Sequence, residues 1–381
     1  MASETVVFWL GAFLLGYTYL GYPVLMWIWA SLRSRPPRPR NIEPTVSLVL
    51  VAHNEARRIE GRIENLLSLD YPRDRLEILI ASDGSTDGTA ERARAYEPAG
   101  LSVMAFEIRR GKPAVLNDLV SKARGEIVVF ADARQRFEAG ALRAIVAPFG
   151  DPQIGAVSGE LILTDDAEGT AVGKGVGFYW RYEKFIRWNE SQVDSSMGAT
   201  GAIYAIRREL FEPIPQDTIL DDVWLPMRIV GRGYRVVFAP GARACDRAAA
   251  TAREEFARKV RTMAGNFQLF ARERWLLNPF RNRLWLQTLS HKGLRLVSPF
   301  LLAGTLFVNL ALVDVAAYRW LLLGQAAFYA AALVGCALRN TRWSFAPLSG
   351  AYVFCLLHWA VLVGLVRFLK KRQGVTWERV R

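Results

Sequence analysis

Short apolar runs alternate with helix-spaced apolar positions through the middle of the chain, and long uncharged stretches bracket it. Val46 to Ala52 is nearly continuous in apolar residues, the pattern of a parallel strand buried on both faces. Residues 57–69 place Ile59, Ile63, Leu66 and Leu67 at helical spacing. The same reading predicts strands over 76–81, 102–106 and 127–131. It predicts helices over 86–96, with Thr86 or Asp87 near the start, and over 113–123. Strands alternating with helices predict a doubly wound, mostly parallel α/β sheet. Further strands are expected over 156–163, after Gly198 and Gly201, and over 234–239. Helices are expected over 178–189, within 219–230 and over 255–270. Residues 281–295 alternate Leu and Trp with Arg and Lys, which suits a helix lying in a membrane interface.

The flanks follow another regime. Thr5 to Leu32 holds no charged residue, more than the roughly 20 apolar residues that span a bilayer. A cleaved signal peptide would have a basic start and a shorter core. Here Glu4 precedes the run, and Arg33, Arg35, Arg38 and Arg40 follow it. Residues 296–313, 320–338 and 343–366 are also free of Asp, Glu, Lys and Arg, which predicts three further spans. The expected organisation is a transmembrane helix with its basic flank over 1–40, a cytoplasmic domain over 41–275, and an interfacial helix with about three spans over 276–381. Excess Lys and Arg on cytoplasmic flanks puts the domain in the cytoplasm of a plasma membrane. One span before the domain and three after it put the C-terminus outside. Arg367, Lys370, Lys371 and Arg372 favour the inside, so one apolar segment is expected to be re-entrant or interfacial.

The net charge of +13 sits largely beside the uncharged stretches, which points to anionic lipid headgroups as partners rather than nucleic acid. Cys245, Cys336 and Cys355 have no metal-binding spacing, and a disulfide framework is not expected.

Chemistry collects where the predicted strands end. Asp83 closes one in ILIASDGSTDGT, Asp132 closes another in FADAR, and ligands of open α/β sheets bind outside such ends. A carboxylate there accepts hydrogen bonds from a base or ribose and is badly placed to grip a phosphate. The loop therefore suggests a nucleotide held by its nucleoside end. Asp87 reads better as a helix cap than as a ligand.

Four blocks stand in order: VAHNE, SDGSTDGT, FADAR, and GATGA followed by LDDVWLPMRI. Together they resemble a membrane-bound family 2 glycosyltransferase, the inverting group that contains the cellulose, hyaluronan and poly-N-acetylglucosamine synthases. The resemblance implies a GT-A fold flanked by membrane helices and a UDP-sugar donor. It implies nucleotide-sugar contacts from Ala52, Asn54, Glu55, Asp83, Lys112, Asp132, Arg134 and Arg261. It places Thr200, Gly201, Ala202, Asp221 and Trp224 on the acceptor side and makes Asp222 the base. His53 reads as a structural or base-packing residue. Asp132 matches the first acid of a DxD motif and implies Mg2+ or Mn2+, but Arg134 stands where the second acid belongs. That arginine either offers a planar cation to a phosphate oxygen or turns to solvent. The QxxRW motif of processive members corresponds to Arg258–Thr262, with Arg261 kept and Thr262 replacing the tryptophan, which weakens the case for a polymer. The expected product is a β-linked surface or extracellular polysaccharide. Single addition to a lipid-linked acceptor is the second reading. A nucleotide-sugar-binding component of a secretion assembly is the third. A homo-oligomer or a secretion partner is possible on this layout.

Overall fold

The computed structural model describes residues 2–38, 40–164, 171–247, 251–338 and 345–376. In chain order the main elements are α1 (Ala2–Gly16), α2 (Tyr22–Leu32), β1 (Val46–Ala52), α3 (Ile59–Leu67), β2 (Leu76–Asp83), α4 (Thr89–Arg94), β3 (Leu101–Phe106) and α5 (Lys112–Lys122). There follow β4 (Ile127–Asp132), β5 (Arg136–Phe137), α6 (Ala141–Val146), β6 (Ile154–Thr164), α7 (Ala171–Val193), β7 (Ile203–Arg207), α8 (Asp221–Gly231) and β8 (Arg235–Arg247). The chain ends in α9 (Ala252–Arg272), α10 (Trp285–Gln287), α11 (Leu294–Ala311), α12 (Ala316–Ala337) and α13 (Ala346–Leu369).

These elements form two compact units. A sheet unit comprises Arg33–Thr164, Arg187–Asp246 and Gly374–Arg381. A helical unit comprises Met1–Leu32, Asp165–Ile186 and Arg247–Gln373.

The sheet unit carries eight strands in the order β3-β2-β1-β4-β7-β6-β8-β5. The pairs β3–β2, β2–β1 and β1–β4 are parallel. The pairs β4–β7, β7–β6 and β8–β5 are antiparallel. The expected parallel sheet thus occupies one half, and the whole is mixed. Apolar side chains on both faces explain the parallel half: Leu48, Val49 and Leu50 of β1 are all fully buried. Helix α5 packs on β1 and β2, and α4 packs on β2 and β3. Parallel register sets Ala52 beside Ser82 and Val51 beside Asp132, so the carboxyl ends of β1, β2 and β4 open at one edge.

Helix α4 is shorter than the predicted 86–96. Gly88, at φ +87°, caps its start, and Asp87 accepts the Thr89 amide at 3.2 Å. β8 is longer than the predicted 234–239, running through Arg247 to reach β5.

In the helical unit four helices have the length and composition to cross a membrane: Ala2–Leu32, Trp285–Ala311, Ala316–Ala337 and Ala346–Leu369. Their outward faces are apolar, with Phe13, Trp320 and Leu333 at least 67 % exposed, a surface suited to lipid. Two of these helices contain π-turns, Tyr17–Gly21 and Thr288–Gly293. The predicted interfacial helix over 281–295 is instead α10 and the second π-turn, leading straight into the span.

Candidate active site

The loops after β1 and β2 are laced together by their own polar groups. Asn54 takes a left-handed φ of 53°, which its short polar side chain tolerates. Its Oδ1 accepts the Thr86 amide at 2.8 Å, and its own amide donates to Ser85 Oγ at 3.1 Å. The Glu55 amide donates to Thr89 Oγ1 and the Ala56 amide to Asp87 Oδ2. His53 Nδ1 lies 2.6 Å from the Asp83 carbonyl. Ala52 is buried at the end of β1. Asp87 therefore works as a cap and cross-link, in line with its reading as a helix cap.

Asp83 has a task beyond the one expected. It is 3 % exposed, its Oδ1 accepts the Arg110 amide at 2.6 Å, and its Oδ2 accepts the Gly111 amide at 2.9 Å. Beside the expected nucleoside contact stands an internal one: both oxygens hold the loop that leads to Lys112. Gly84 makes that approach possible. At φ +60° a Cβ there would lie 2.5 Å from the Arg109 amide nitrogen.

Lys112 opens α5 and projects onto acids from two other elements. Its Nζ donates to Asp132 Oδ1 at 2.8 Å and lies 3.6 Å from Asp221 Oδ2. Burial opposes its charge, but Asp132 and Asp221 outweigh burial and hold the ammonium well above its usual range. Asp221 and Asp222 form the first turn of α8, where the helix dipole favours negative charge. The Tyr204 hydroxyl donates to Asp221 Oδ2 at 3.3 Å, and the Tyr204 ring stacks on Phe130 with centroids 4.3 Å apart. Desolvation, then repulsion from Asp221, pushes the Asp222 carboxyl up to about 6, against the pull of Lys112 and Arg187.

The GATGA segment lies against this acid pair. The Asp222 carbonyl accepts the Ala199 amide at 2.8 Å. A Cβ on Gly201 would sit 2.9 Å from Asp222 Oδ2, so glycine leaves the carboxylate room. Thr200 Oγ1 accepts from Arg187 Nη1 at 2.8 Å, and the Thr200 amide donates to Ser158 Oγ at 3.0 Å. Ala202 is buried. Trp224, expected to stack on a sugar, is 5 % exposed, and Arg228 lies 5.9 Å from its ring. Burial inside the sheet unit removes it as a platform.

Arg134 also departs from expectation. Its Nη2 binds Asp246 Oδ2 at 2.7 Å, and Gln135 donates to the same oxygen at 2.9 Å. The cation is offset by a buried acid instead of being offered to a phosphate. Arg261 lies on α9 and belongs to the helical unit.

Lys112, Asp132, Asp221, Asp222 and Arg187 thus converge from α5, β4, α8 and the end of α7. Sequence reasoning missed Arg187, Tyr204, Ser158 and Asp246. The only trace of Arg187 was its place in an aromatic, basic helical stretch. With Asp222 ionised, three acids face two bases and leave one net negative charge. Among the described residues no three His, Cys, Asp or Glu side chains group to hold a metal.

The mixed sheet with its parallel half is of GT-A type. Residues 47–214 match the model of the family described as glycosyl transferase family 2, and the chain carries a glycosyltransferase domain of that family. A β-monoglucosyldiacylglycerol synthase of a Nostoc species is 26 % identical over 241 residues, 59 % of this chain and 49 % of that one. A poly-β-1,6-N-acetyl-D-glucosamine synthase of Staphylococcus epidermidis is 32 % identical over 116 residues, 30 % of this chain and 28 % of that one. The matched part of the chain spans at most about half the length of these two relatives. A mannosyltransferase from Pyrobaculum calidifontis, solved with GDP-Man and Mn2+, shares the fold with a TM-score of 0.73. It is 23 % identical, and the match covers 96 % of this chain and 99 % of that one.

Proposed function

We propose that the chain moves a sugar from a UDP-sugar to a saccharide acceptor, inverting the anomeric carbon to give a β linkage. The observation that carries this reading is Asp222, a carboxyl pushed up to about 6 at the start of α8, with the side-chain-free Gly201 set close against it. A base poised near neutral pH takes a proton most effectively. The acceptor hydroxyl gives its proton to Asp222 as its oxygen bonds to the anomeric carbon. The bond from that carbon to the diphosphate breaks on the opposite side, and the nucleoside diphosphate leaves. Lys112 supplies fixed positive charge, and Asp221 orients Lys112 and Tyr204. Thr200 and Gly201 line the acceptor side. Asp83, Asn54 and Glu55 shape the nucleoside end by fixing its loops.

The cluster suits a divalent cation held by one protein carboxylate. Asp132 commits Oδ1 to Lys112, and no described group hydrogen-bonds its Oδ2. Mg2+ commonly binds through one carboxylate, waters and phosphate oxygens. When bound there the ion would offset charge on the leaving diphosphate.

The broader role is synthesis of a surface or extracellular polysaccharide, with the sheet unit cytoplasmic beside a basic flank. Single addition to a lipid-linked acceptor has one observation in its favour: Thr262, in the place of the processive tryptophan, donates to the Arg258 carbonyl within α9 and offers no stacking face. Incubation with UDP- and GDP-sugars followed by mass analysis tests the proposal. A ladder of products means polymer synthesis, one added sugar on lipid means single transfer, and no transfer from any donor defeats the reading. Asp222→Asn should lower turnover by about 10²–10⁴-fold while donor binding persists.

A further inference from the structure

The helical unit buries charge that sugar transfer does not use. Glu183 of α7 is 3 % exposed; it pairs with His291 Nε2 at 2.9 Å and Arg295 Nη1 at 2.8 Å. Arg295 keeps two further donors: its Nε and Nη2 are buried with no hydrogen-bond partner among the described residues. Buried guanidinium donors left unmade are costly, so the fold holds them for something. One turn away along α7 stands a second cation. Lys259 Nζ lies 3.9 Å from the Tyr179 ring centroid, while Arg295 Cζ lies 5.5 Å from that of Tyr182. Tyr179 and Tyr182 are three residues apart and share a helix face, so the two cations stand over neighbouring rings.

The charges do not cancel. Glu183 offsets Arg295. Glu255 binds Arg258 closely and lies 3.8 Å from Lys259, beyond hydrogen-bond range. Among these groups the cations outnumber the acids, with Arg258, Lys259 and Arg295 set against Glu183 and Glu255. Arg295 directly precedes the uncharged run that starts at Leu296, and aromatic residues surround it, the composition of headgroup depth. The Tyr182 hydroxyl donates to the Tyr19 carbonyl at 2.9 Å, inside the first membrane helix, and fixes that ring against the span. A guanidinium with two open N–H groups and a nearby ammonium match the oxygens of a phosphate.

The geometry points to a second binding site: Arg295 and Lys259, framed by Tyr179 and Tyr182, hold the phosphate monoester at the head of a membrane lipid. The site lies within the helical unit and does not rest on the sugar-transfer reading. A phosphorylated lipid acceptor and a bilayer lipid present the same chemistry.

Full-length protein in detergent micelles is titrated with dioctanoyl phosphatidic acid, dioctanoylglycerol and inorganic phosphate. Native mass spectrometry counts retained lipid, and a thermal-shift assay follows inorganic phosphate. The expected result is one saturable phosphatidic acid per chain, no retention of the phosphate-free lipid, and at least tenfold weaker binding in Lys259→Gln and in Arg295→Lys. Lys259→Gln leaves Glu255 paired with Arg258, and Arg295→Lys keeps a charge for Glu183, so both should fold. Unchanged circular dichroism and an unchanged elution volume for the variants report that they have. Equal retention of both lipids, or unchanged affinity in both folded variants, overturns the site. Inorganic phosphate that displaces the lipid at equal concentration also overturns it in favour of a soluble anion. Retained phospholipid that gains sugar mass when donors are added marks an acceptor. Retained phospholipid that gains none marks a bilayer lipid, and both outcomes support the site.

Discussion

Asp222 is held between opposing neighbours, and its titration should follow them. Desolvation and Asp221 raise it to about 6, while Lys112 and Arg187 lower it. The base must be ionised to take a proton, so kcat/KM should fall on the acid side of about pH 6 and level off above it. Asp221→Asn removes the repulsion, and the acid limb should move to lower pH. Lys112→Gln removes an attraction, and the limb should move to higher pH. A rate profile over pH 4.5–8 reads both shifts, and a limb that stays in place in both variants would mean that another group titrates. Gly201→Ala would set a methyl 2.9 Å from Asp222 Oδ2, and a carboxylate displaced by about 1 Å costs roughly 10²-fold in rate. The acids at 83 and 132 were legible because each ends an apolar run, and those at 221 and 222 through the resemblance carried by LDDVWLPMRI. Their partners were not. Nothing in the spacing says that Asp83 faces amides 27 and 28 residues later, or that Trp224 turns inward from the first turn of α8.

At the scale of elements, the strands of both halves were readable, but the antiparallel pairing was not. Strands β1, β2 and β4 are uniformly apolar, and each parallel crossover carries its own helix, so pattern alone gives their order of appearance. β7 inserts between β4 and β6 through pairings that no local period announces. That insertion brings Thr200 and Gly201, just before β7, to the end of β4, where Tyr204 stacks on Phe130. The loop after β2 is a second element-scale device. Asp83→Ala frees the Arg110 and Gly111 amides, so the start of α5 and with it Lys112 should lose definition. KM for the donor should rise roughly tenfold or more with a smaller change in kcat, since a group that positions the nucleotide acts mainly through binding. Steady-state kinetics separates the two; a fall confined to kcat would put Asp83 in the chemistry itself.

For the whole molecule, uncharged stretches were enough to foresee four long apolar helices, because length and composition decide that question. Their π-turns and the polar pairs among them were invisible, since they depend on which faces meet. One contact spans a large part of the chain. Arg134 and Asp246 are 112 residues apart in sequence and join the end of β4 to the end of β8. Placing an acid there with Arg134→Asp would take the cation away from the buried Asp246 and set a partly exposed carboxylate against it, which should show as a lower Tm. Adding Asp246→Asn should recover most of that loss. The two positions are therefore coupled: a change of charge at one should cost stability unless the other changes with it.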